Sequence, residues 1–389
     1  METRIDGPMQ GGRRPPWGVR RAREGWAVPT TTVLLSASML CLGGSESARA
    51  GKQVSPIKVD EEVVFFPGFA TEGVPPSWTA YVHGWIFEPK GKPGQRSTLE
   101  KLLQEKLNLT QGELGSKYFR ERAQMFLVDN ERSKSLTVNL SGRTVTLAPS
   151  KANGHFDDKI TLSVADGKPG DWIDIRAQTR PEDKRVFAGN IQLIGRRGVS
   201  IVSDIDDTIK ISNVLDKREL IANAFAREFR ATPGMADLYR AWAGSGNVVF
   251  HYVSGSPWQL YPALADFVQR EGFPRGSFHL RQFRLKDKSA GEFLENRTLE
   301  YKLGVIDTLM RRFTERQFVL AGDSGEKDPE VYKELAARFP NQVRAILIRD
   351  VRGEDLSSNR FMRLYEKLPE HITRRVFRET SELADFSPQ

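Results

Sequence analysis

The sequence predicts an α/β protein, in which a β-rich, sandwich-like domain with a helical insertion precedes a domain built on a parallel sheet. Short β-rich runs recur between turn signals from about residue 59 to 194, a spacing typical of an antiparallel sandwich or barrel. From residue 199 to about 350, apolar strands alternate with amphipathic helices. That alternation is typical of a parallel sheet covered by helices.

Composition agrees with two folded domains. The chain has 389 residues, of which 39% are hydrophobic and 28% are charged, and this mixture excludes a mainly disordered or fibrous protein. The formal net charge is +8, which would favour anionic partners if the basic residues were clustered. They form no stripe, and no RNA-reading aromatic motif is visible, so we do not expect a nucleic acid partner.

Residues 1–50 are predicted to be a signal peptide. An Arg-rich front is followed by a mostly uncharged run from Trp26 to Gly44, and Ala48-Arg49-Ala50 fits the small-x-small rule of a cleavage site. A membrane anchor or a disordered tail is the alternative, but Pro29 interrupts the run, which is shorter than the roughly 20 residues of a spanning helix. The mature protein is therefore expected in the periplasm or outside the cell, with no transmembrane helix. Cys41 is the single cysteine and leaves with the signal, which excludes disulfides and thiolate metal sites.

The β-rich domain is predicted over 59–195. Its strands are expected at 63–69, 78–89, 123–129, 135–149, 158–166, 171–178 and 186–194. Leucines at helical spacing between residues 97 and 122 predict a helical insertion that packs on the sheet.

The second domain is predicted over 196–355, with a C-terminal helix and a frayed tail over 356–389. Its strands are expected at 199–205, 248–254, 278–283, 317–323 and 343–350, and its helices at 217–229, 234–243, 261–270, 299–313 and 329–339. Because the carboxyl ends of parallel strands share one edge of the sheet, polar residues at those ends are expected to meet there.

The first strand of this domain ends in Asp204-Ile205-Asp206-Asp207-Thr208. Two carboxylates at i and i+2 facing one site would repel each other unless a cation lay between them. The competing interpretation is a helix N-cap with additional acids, since Asp and Thr favour that position.

Three further features follow along the chain. Ser254 and Gly255 end the second strand and offer a hydroxyl and backbone N–H groups that could cradle a phosphoryl group, although such a serine is often only a cap. Lys302 lies on a predicted helix, where a solvated position is the alternative. Asp323 and Asp328 lie in a glycine-containing loop after the fourth strand and could reach one cation, or could form an acidic turn without one.

The ordered set D-x-D-x-T, Ser, Lys, G-D-x-x-x-x-D resembles the haloacid dehalogenase superfamily of phosphatases. More narrowly, DIDDTIKISNV (204–214), PGMADLYRAW (233–242), SGSPWQLYP (254–262) and GDSGEKDPEVY (322–332) are similar to the actin-patch-associated phosphatidate phosphatase family and its bacterial relatives. HGWIFEP (83–89) extends the resemblance weakly into the β-rich half. A haloacid dehalogenase-like, Rossmannoid parallel sheet is the fold that this resemblance implies.

The resemblance also implies roles for the site residues. Asp204 would be the nucleophile and would form an aspartyl-phosphate, while Asp206 would be the general acid and base. The implied substrate-binding residues are Ser254, Gly255, Lys302 and Thr208, with Lys302 also counted as catalytic, and the implied Mg²⁺ ligands are Asp204, Asp206 through its backbone carbonyl, Asp323 and Asp328. Asp328 would orient Lys302 or a metal-bound water.

Phosphatidate or a related lipid phosphomonoester is the implied substrate. Trp258 and Tyr261 could anchor the protein at a membrane surface, and Arg281, Arg284, Lys286 and Lys288 form a basic run, although helix packing and a solvated loop explain these features equally simply. The predicted export departs from the family's best-known intracellular members. Two other functions therefore stay open: a phosphatase of a soluble phosphomonoester or phosphoprotein, and a catalytically idle envelope binding protein.

Overall fold

The computed structural model describes residues 54–73, 77–89, 109–283 and 298–389. They form a mixed α/β structure with an eight-stranded sheet and a separate six-stranded parallel sheet. The predicted signal peptide lies outside the described residues, as does the part of the predicted helical insertion before Leu109. None of the helices within the described ranges is long and apolar enough to cross a membrane.

The first sheet contains strands β1 to β8. They run β1 Glu62–Glu72, β2 Ser77–Glu88, β3 Asp129–Asn130, β4 Thr137–Leu140, β5 Arg143–Thr146, β6 His155–Ser163, β7 Trp172–Ala177 and β8 Ala188–Ile194. Their order is β3-β2-β1-β8-β7-β4-β5, with β6 also paired to β2. All pairs are antiparallel except β1 with β8. The predicted sandwich is not confirmed, because these strands form one continuous hydrogen-bonded sheet.

One predicted strand, 123–129, is wrong. The chain there ends a helix, α2 (Lys117–Gln124), and only Asp129–Asn130 pairs with β2. A single helical turn, α1 (Gln111–Leu114), precedes α2 and begins with a capping box at Thr110. Phe119 of α2 shares a hydrophobic cluster with Trp85 and Phe87 of β2. Arg122 of α2 also donates hydrogen bonds to the carbonyl oxygens of Ala224 and Arg227 in the second half, at 3.1 and 2.7 Å.

The parallel sheet contains β9 Val199–Ser203, β10 Val248–Pro257, β11 Gly276–Arg281, β12 Gln317–Asp323, β13 Val343–Arg349 and β14 Thr373–Phe377. Its helices are α3 Lys217–Phe225, α4 Met235–Gly244, α5 Tyr261–Arg270, α6 Thr298–Arg312, α7 Asp328–Arg338 and α8 Asn359–Tyr365. The five predicted strands and five predicted helices of this half are all present. The predicted frayed tail is wrong, because β14 pairs in parallel with β13 and extends the sheet.

The order of the parallel strands is β11-β10-β9-β12-β13-β14. Counted along the chain from β9, this is the 3-2-1-4-5-6 order of doubly wound α/β folds, which bind ligands at the carboxyl edge where the strand order reverses. The reversal falls between β9 and β12. Every residue of β9 is buried, so the chain that leaves it emerges directly at this crevice.

The two halves pack directly on each other. Phe66 of β1 lies with its ring centroid 4.0 Å from that of Trp258, which follows β10. Trp258 is 4% exposed and Tyr261 packs edge-on against Phe66 and Phe278. The expectation that Trp258 anchors the protein at a membrane surface is therefore wrong, because its ring is buried between the halves.

Candidate active site

Lys302 connects the carboxyl end of β9 to the loop after β12. Its side chain is 1% exposed, and Nζ donates to Asp204 Oδ1 at 2.7 Å, Glu326 Oε2 at 2.8 Å and Asp328 Oδ1 at 2.6 Å. Such a buried ammonium needs nearby anions because desolvation disfavours an unpaired charge. Although burial opposes it, the surrounding carboxylates raise the pKa of Lys302 well above its ordinary value. The solvated alternative for this lysine does not hold.

Asp204 comes directly after β9 and lies against β12. Its backbone N–H donates to Ala321 O at 2.8 Å, and the Thr208 hydroxyl donates to its Oδ2 at 3.1 Å. Burial raises the pKa of Asp204 well above its ordinary value; the Lys302 ammonium opposes this rise, and neighbouring carboxylates add to it. The Asp204 carboxyl is thus oriented by the Thr208 hydroxyl and the Lys302 ammonium, and its ionisation depends on the positive charge of Lys302.

The loop after β12 brings two more carboxylates to the same place. Oδ1 of Asp323 accepts from the N–H groups of Gly325 at 2.6 Å and Glu326 at 3.0 Å, while its Oδ2 is buried and has no hydrogen-bond partner. Asp328 opens α7, and its Oδ2 accepts from the Asp323 N–H at 3.2 Å. A Cβ at Gly322 would overlap the Asp328 carboxylate, so glycine is needed for this close approach.

Four carboxylates here could hold a metal ion. One oxygen from each of Asp204, Asp323, Glu326 and Asp328 lies within 4.8 Å of the others. Among the described residues the cluster has four acids and a single lysine, and no donor there reaches the buried Asp323 Oδ2. Hard oxygen donors around an uncompensated negative charge fit a hard divalent cation. Glu326 was missed by sequence reasoning, although it stands in the same acidic loop.

Asp206 has a separate set of partners, which includes a second lysine. Its Oδ1 lies 2.8 Å from Lys210 Nζ and accepts from Ser212 Oγ at 2.7 Å. Its Oδ2 accepts from Ser254 Oγ at 3.1 Å and Ser256 Oγ at 3.0 Å. Burial alone would raise the pKa of Asp206, but Lys210 and the hydroxyl donors outweigh it and lower the pKa to about 2. The Asp206 carboxylate is thus ionised in this arrangement, and it is not part of the four-carboxylate cluster.

Sequence reasoning missed Lys210, which is 1% exposed and also lies 4.9 Å from the centre of the Phe229 ring. Its place four residues after Asp206 in DIDDTIK is the only signal that could have revealed it.

Asp207 stabilises the loop that follows it and is not part of the four-carboxylate cluster. Its φ is +54°, a left-handed conformation that is uncommon for a residue other than glycine. Its carboxylate accepts from the N–H groups of Ser212 at 2.7 Å, Asn213 at 3.0 Å and Val214 at 2.6 Å. Asp207 therefore holds the loop that carries Lys210 and Ser212 in place.

The loop after β10 supplies the hydroxyl side of the site. Ser254 is fully buried, and its Oγ accepts from the Ser256 N–H at 3.0 Å while donating to Asp206. A Cβ at Gly255 would lie 3.0 Å from Thr298 Cγ2, at the start of α6. The structure thus brings together all the predicted site residues, in two groups: Asp204, Thr208, Lys302, Asp323 and Asp328 in one, and Asp206 and Ser254 with its neighbour Gly255 in the other.

The carboxylates, hydroxyls and lysines of this site thus lie where the strand order of the sheet reverses, which is the place where doubly wound α/β folds bind ligands. Residues 199–350 match the family model for the catalytic domain of phosphatidate phosphatase APP1. The match begins at β9 and ends after β13, and so leaves out the first sheet.

Two curated proteins are similar to this chain. An uncharacterized protein of Schizosaccharomyces pombe is 33% identical over 183 residues, which are 46% of this chain and 29% of that protein. The phosphatidate phosphatase APP1 of Saccharomyces cerevisiae is 34% identical over 158 residues, which are 39% of this chain and 26% of the yeast protein. The chain thus spans less than a third of the length of these relatives.

Proposed function

We propose that the chain is a Mg²⁺-dependent phosphatase of the haloacid dehalogenase superfamily that hydrolyses phosphatidate or a related lipid phosphomonoester. One observation carries the proposal: Lys302 joins Asp204, at the end of β9, to the acidic loop after β12, at the switch point of the sheet. The similarity of residues 199–350 to a phosphatidate phosphatase catalytic domain supports the substrate class.

The proposed reaction has two displacements at phosphorus. An oxygen of the Asp204 carboxylate attacks the phosphorus, the bond from phosphorus to the lipid oxygen breaks, and Asp206 gives that oxygen a proton. A water molecule then attacks the aspartyl-phosphate, and Asp206 takes the proton that this water loses. The bond between phosphorus and Asp204 breaks, which releases inorganic phosphate and restores both carboxyl groups.

Asp206 must hold a proton for the first displacement, although its pKa is lowered to about 2 without substrate. Ser254 and Ser256 both donate to its Oδ2 in that state. When these hydroxyls donate to a phosphate instead, Asp206 loses two stabilising donors and gains an anionic neighbour. Both changes raise the pKa of Asp206 and act against Lys210, the main cause of its low value, so substrate binding favours the protonated acid that the first displacement needs.

Asp204 must be ionised to attack, and Lys302 favours that state. The same ammonium can stabilise charge that develops on a phosphoryl oxygen, while Asp328 fixes its position at 2.6 Å. Asp204, Asp323, Glu326 and Asp328 would hold the Mg²⁺, with the Asp206 carbonyl that the family resemblance implies. When bound, the ion offsets the negative charge of phosphate and nucleophile.

Export is part of the proposal. The Arg-rich front, apolar run and Ala48-Arg49-Ala50 of the first 50 residues support it. An exported enzyme would meet its lipid in the cell envelope or outside the cell, where contact with a membrane surface brings the substrate to the site.

Phosphate release from phosphatidate in mixed micelles, with and without Mg²⁺, tests the proposal. We expect metal-dependent release that disappears in Asp204→Asn and persists in Asp237→Asn, an exposed acid on α4. Release from a soluble aryl phosphate but not from phosphatidate would replace the lipid by a soluble phosphomonoester or a phosphoprotein. No release from either substrate would favour the idle binding protein.

A further inference from the structure

A groove of about 800 Å³ lies between the two halves of the molecule. It is lined by Phe66 and Phe69 of β1, Trp258 after β10 and residues of β11, among others. This volume falls within the range of pockets that enclose small ligands. None of the residues with a role in the proposed reaction lines the groove.

Three connections place the groove beside the candidate active site. Leu280 of the groove is the ladder partner of Ser254, one strand spacing of about 4.8 Å away. Trp258 follows two residues after Ser256, whose hydroxyl contacts Asp206. Tyr301 lines the groove and directly precedes Lys302 on α6. A molecule with its phosphate at Asp204 could therefore extend from there into the groove.

Most of the lining residues of the groove are uncharged, and many of them are aromatic. Phe69 and Tyr81 lie with ring centroids 5.1 Å apart, and the His83 ring lies 4.7 Å from Trp258. Burial lowers the pKa of His83 well below its ordinary value and that of His279 to about 4. Both imidazoles are therefore neutral at pH 7, and the walls suit a hydrocarbon chain.

Five charged residues also line the groove: Asp157, Asp158, Lys159, Arg281 and Arg312. Arg312 lies 4.0 Å and Lys159 5.7 Å from the centre of the Tyr81 ring. Of the two acids, Asp157 is paired with Lys151 at 2.5 Å and Asp158 accepts from the Ala148 N–H at 2.7 Å. The positive charges of Lys159, Arg281 and Arg312 complement an anionic lipid surface.

We propose that this groove binds the acyl chain of the lipid phosphomonoester whose phosphate is bound at Asp204. The inference rests on the proposed function and makes it more specific, because it gives the hydrocarbon part of the substrate its own binding site. It commits to a single extended chain next to the phosphate, held by the aromatic walls between the halves.

The test is the affinity of the full chain for methyl-, butyl- and octylphosphonate, measured by calorimetry in the presence of Mg²⁺. These probes share one headgroup and differ only in chain length. We expect affinity to rise about fourfold per added methylene while the groove fills. Equal affinities for the methyl and octyl probes would overturn the proposal.

A pair of matched variants locates the chain. Tyr81 lines the groove beneath two cations, and Tyr118 on α2 is a half-buried tyrosine beside Lys117 and Arg122 at 4.8 and 5.2 Å, outside the groove. Tyr81→Gln should lower the octyl-to-methyl affinity ratio about tenfold, whereas Tyr118→Gln should keep it. Equal octyl-to-methyl affinity ratios in the two variants would overturn the groove assignment. Adsorption of the protein to anionic vesicles that does not depend on the length of the lipid's acyl chain would also overturn it, and would indicate a membrane surface as the occupant.

The same preparations separate the two proposals. Absence of phosphate release from both phosphatidate and an aryl phosphate contradicts the proposed function, whereas the chain-length dependence of phosphonate affinity reports on the groove alone. A Trp258→Phe variant adds a second readout, since quenching by a brominated octylphosphonate should be present in the unmodified chain and reduced in this variant. Quenching that is equal in both would place the chain elsewhere.

Discussion

Replacing Lys302 by methionine should affect stability and activity together. The substitution keeps the length of the side chain and removes the ammonium that contacts Asp204, Glu326 and Asp328 at 2.6 to 2.8 Å. Those carboxylates stay buried beside Asp323 and lose their only described cationic partner. Breaking a buried ion pair by removing one partner destabilises a protein by about 3–5 kcal/mol.

The loss should depend on pH. Burial and mutual repulsion already raise the pKa values of Asp204 and Asp323 well above their ordinary range, and removal of Lys302 raises them further. A carboxyl whose pKa is higher in the folded state destabilises the fold at high pH, and this penalty shrinks as pH falls towards the unfolded value near 4. We therefore expect the full loss at pH 8 and a clearly smaller one at pH 5.

Urea unfolding at both pH values is the assay, combined with hydrolysis of an aryl phosphate. Lys327→Met, at a half-exposed lysine of the same loop, is the matched control and should change the free energy of unfolding by less than about 0.5 kcal/mol. Hydrolysis by Lys302→Met should fall at least 100-fold, the size of effect seen on removal of one charge-stabilising donor. A loss below about 1 kcal/mol at pH 8, together with near-normal hydrolysis, would refute the reasoning.

Three further predictions concern the loop, the histidines and the metal ligands. Asp207→Ala should lower the free energy of unfolding by about 3 kcal/mol, because three backbone N–H groups lose a charged acceptor. Asp207→Asn should lower it less. Equal urea unfolding curves for Asp207→Ala and the unmodified chain would contradict this prediction. Burial lowers the pKa values of His155 and His279 to about 4. Between pH 6.5 and 4, therefore, these histidines take up protons in the unfolded chain but stay neutral in the folded one. The free energy of unfolding, measured in urea, should fall by up to about 3 kcal/mol per histidine over this range. Stability that is independent of pH in this window would contradict the buried, neutral imidazoles. Asp323→Asn should weaken binding of Mg²⁺ or Mn²⁺ at least tenfold in calorimetry, since the buried Oδ2 without a partner becomes a neutral amide, and unchanged affinity would exclude Asp323 as a ligand.

The sequence predicted the parallel-sheet half closely because its signals are local. Strand β12 and helix α5 have the bounds expected from their apolar patterns. The meeting of Asp204, Ser254 and Asp323 at one edge follows from the parallel arrangement, in which all strands end on the same side. No knowledge of packing is needed for that step.

Other features depend on packing and could not be predicted in the same way. Lys210 and Glu326 are ordinary charged residues in the sequence, and only burial beside Asp206 and Lys302 gives them a place in the site. Strand β14 has the sequence TRRVF, whose two arginines interrupt the apolar pattern expected of a buried strand. The strand forms because its backbone pairs with the edge of β13. Trp258 looks like a surface anchor until Phe66 of the other half covers it.

Detection of the covalent intermediate tests the central claim most directly. The chain is mixed with phosphatidate in micelles with Mg²⁺, quenched within milliseconds and reduced with borohydride, which converts an aspartyl-phosphate to homoserine. Mass spectrometry should then find homoserine at position 204 in the unmodified chain and none in Asp204→Asn. Phosphate release without any modification at Asp204, or with modification of another carboxyl group, would contradict the account.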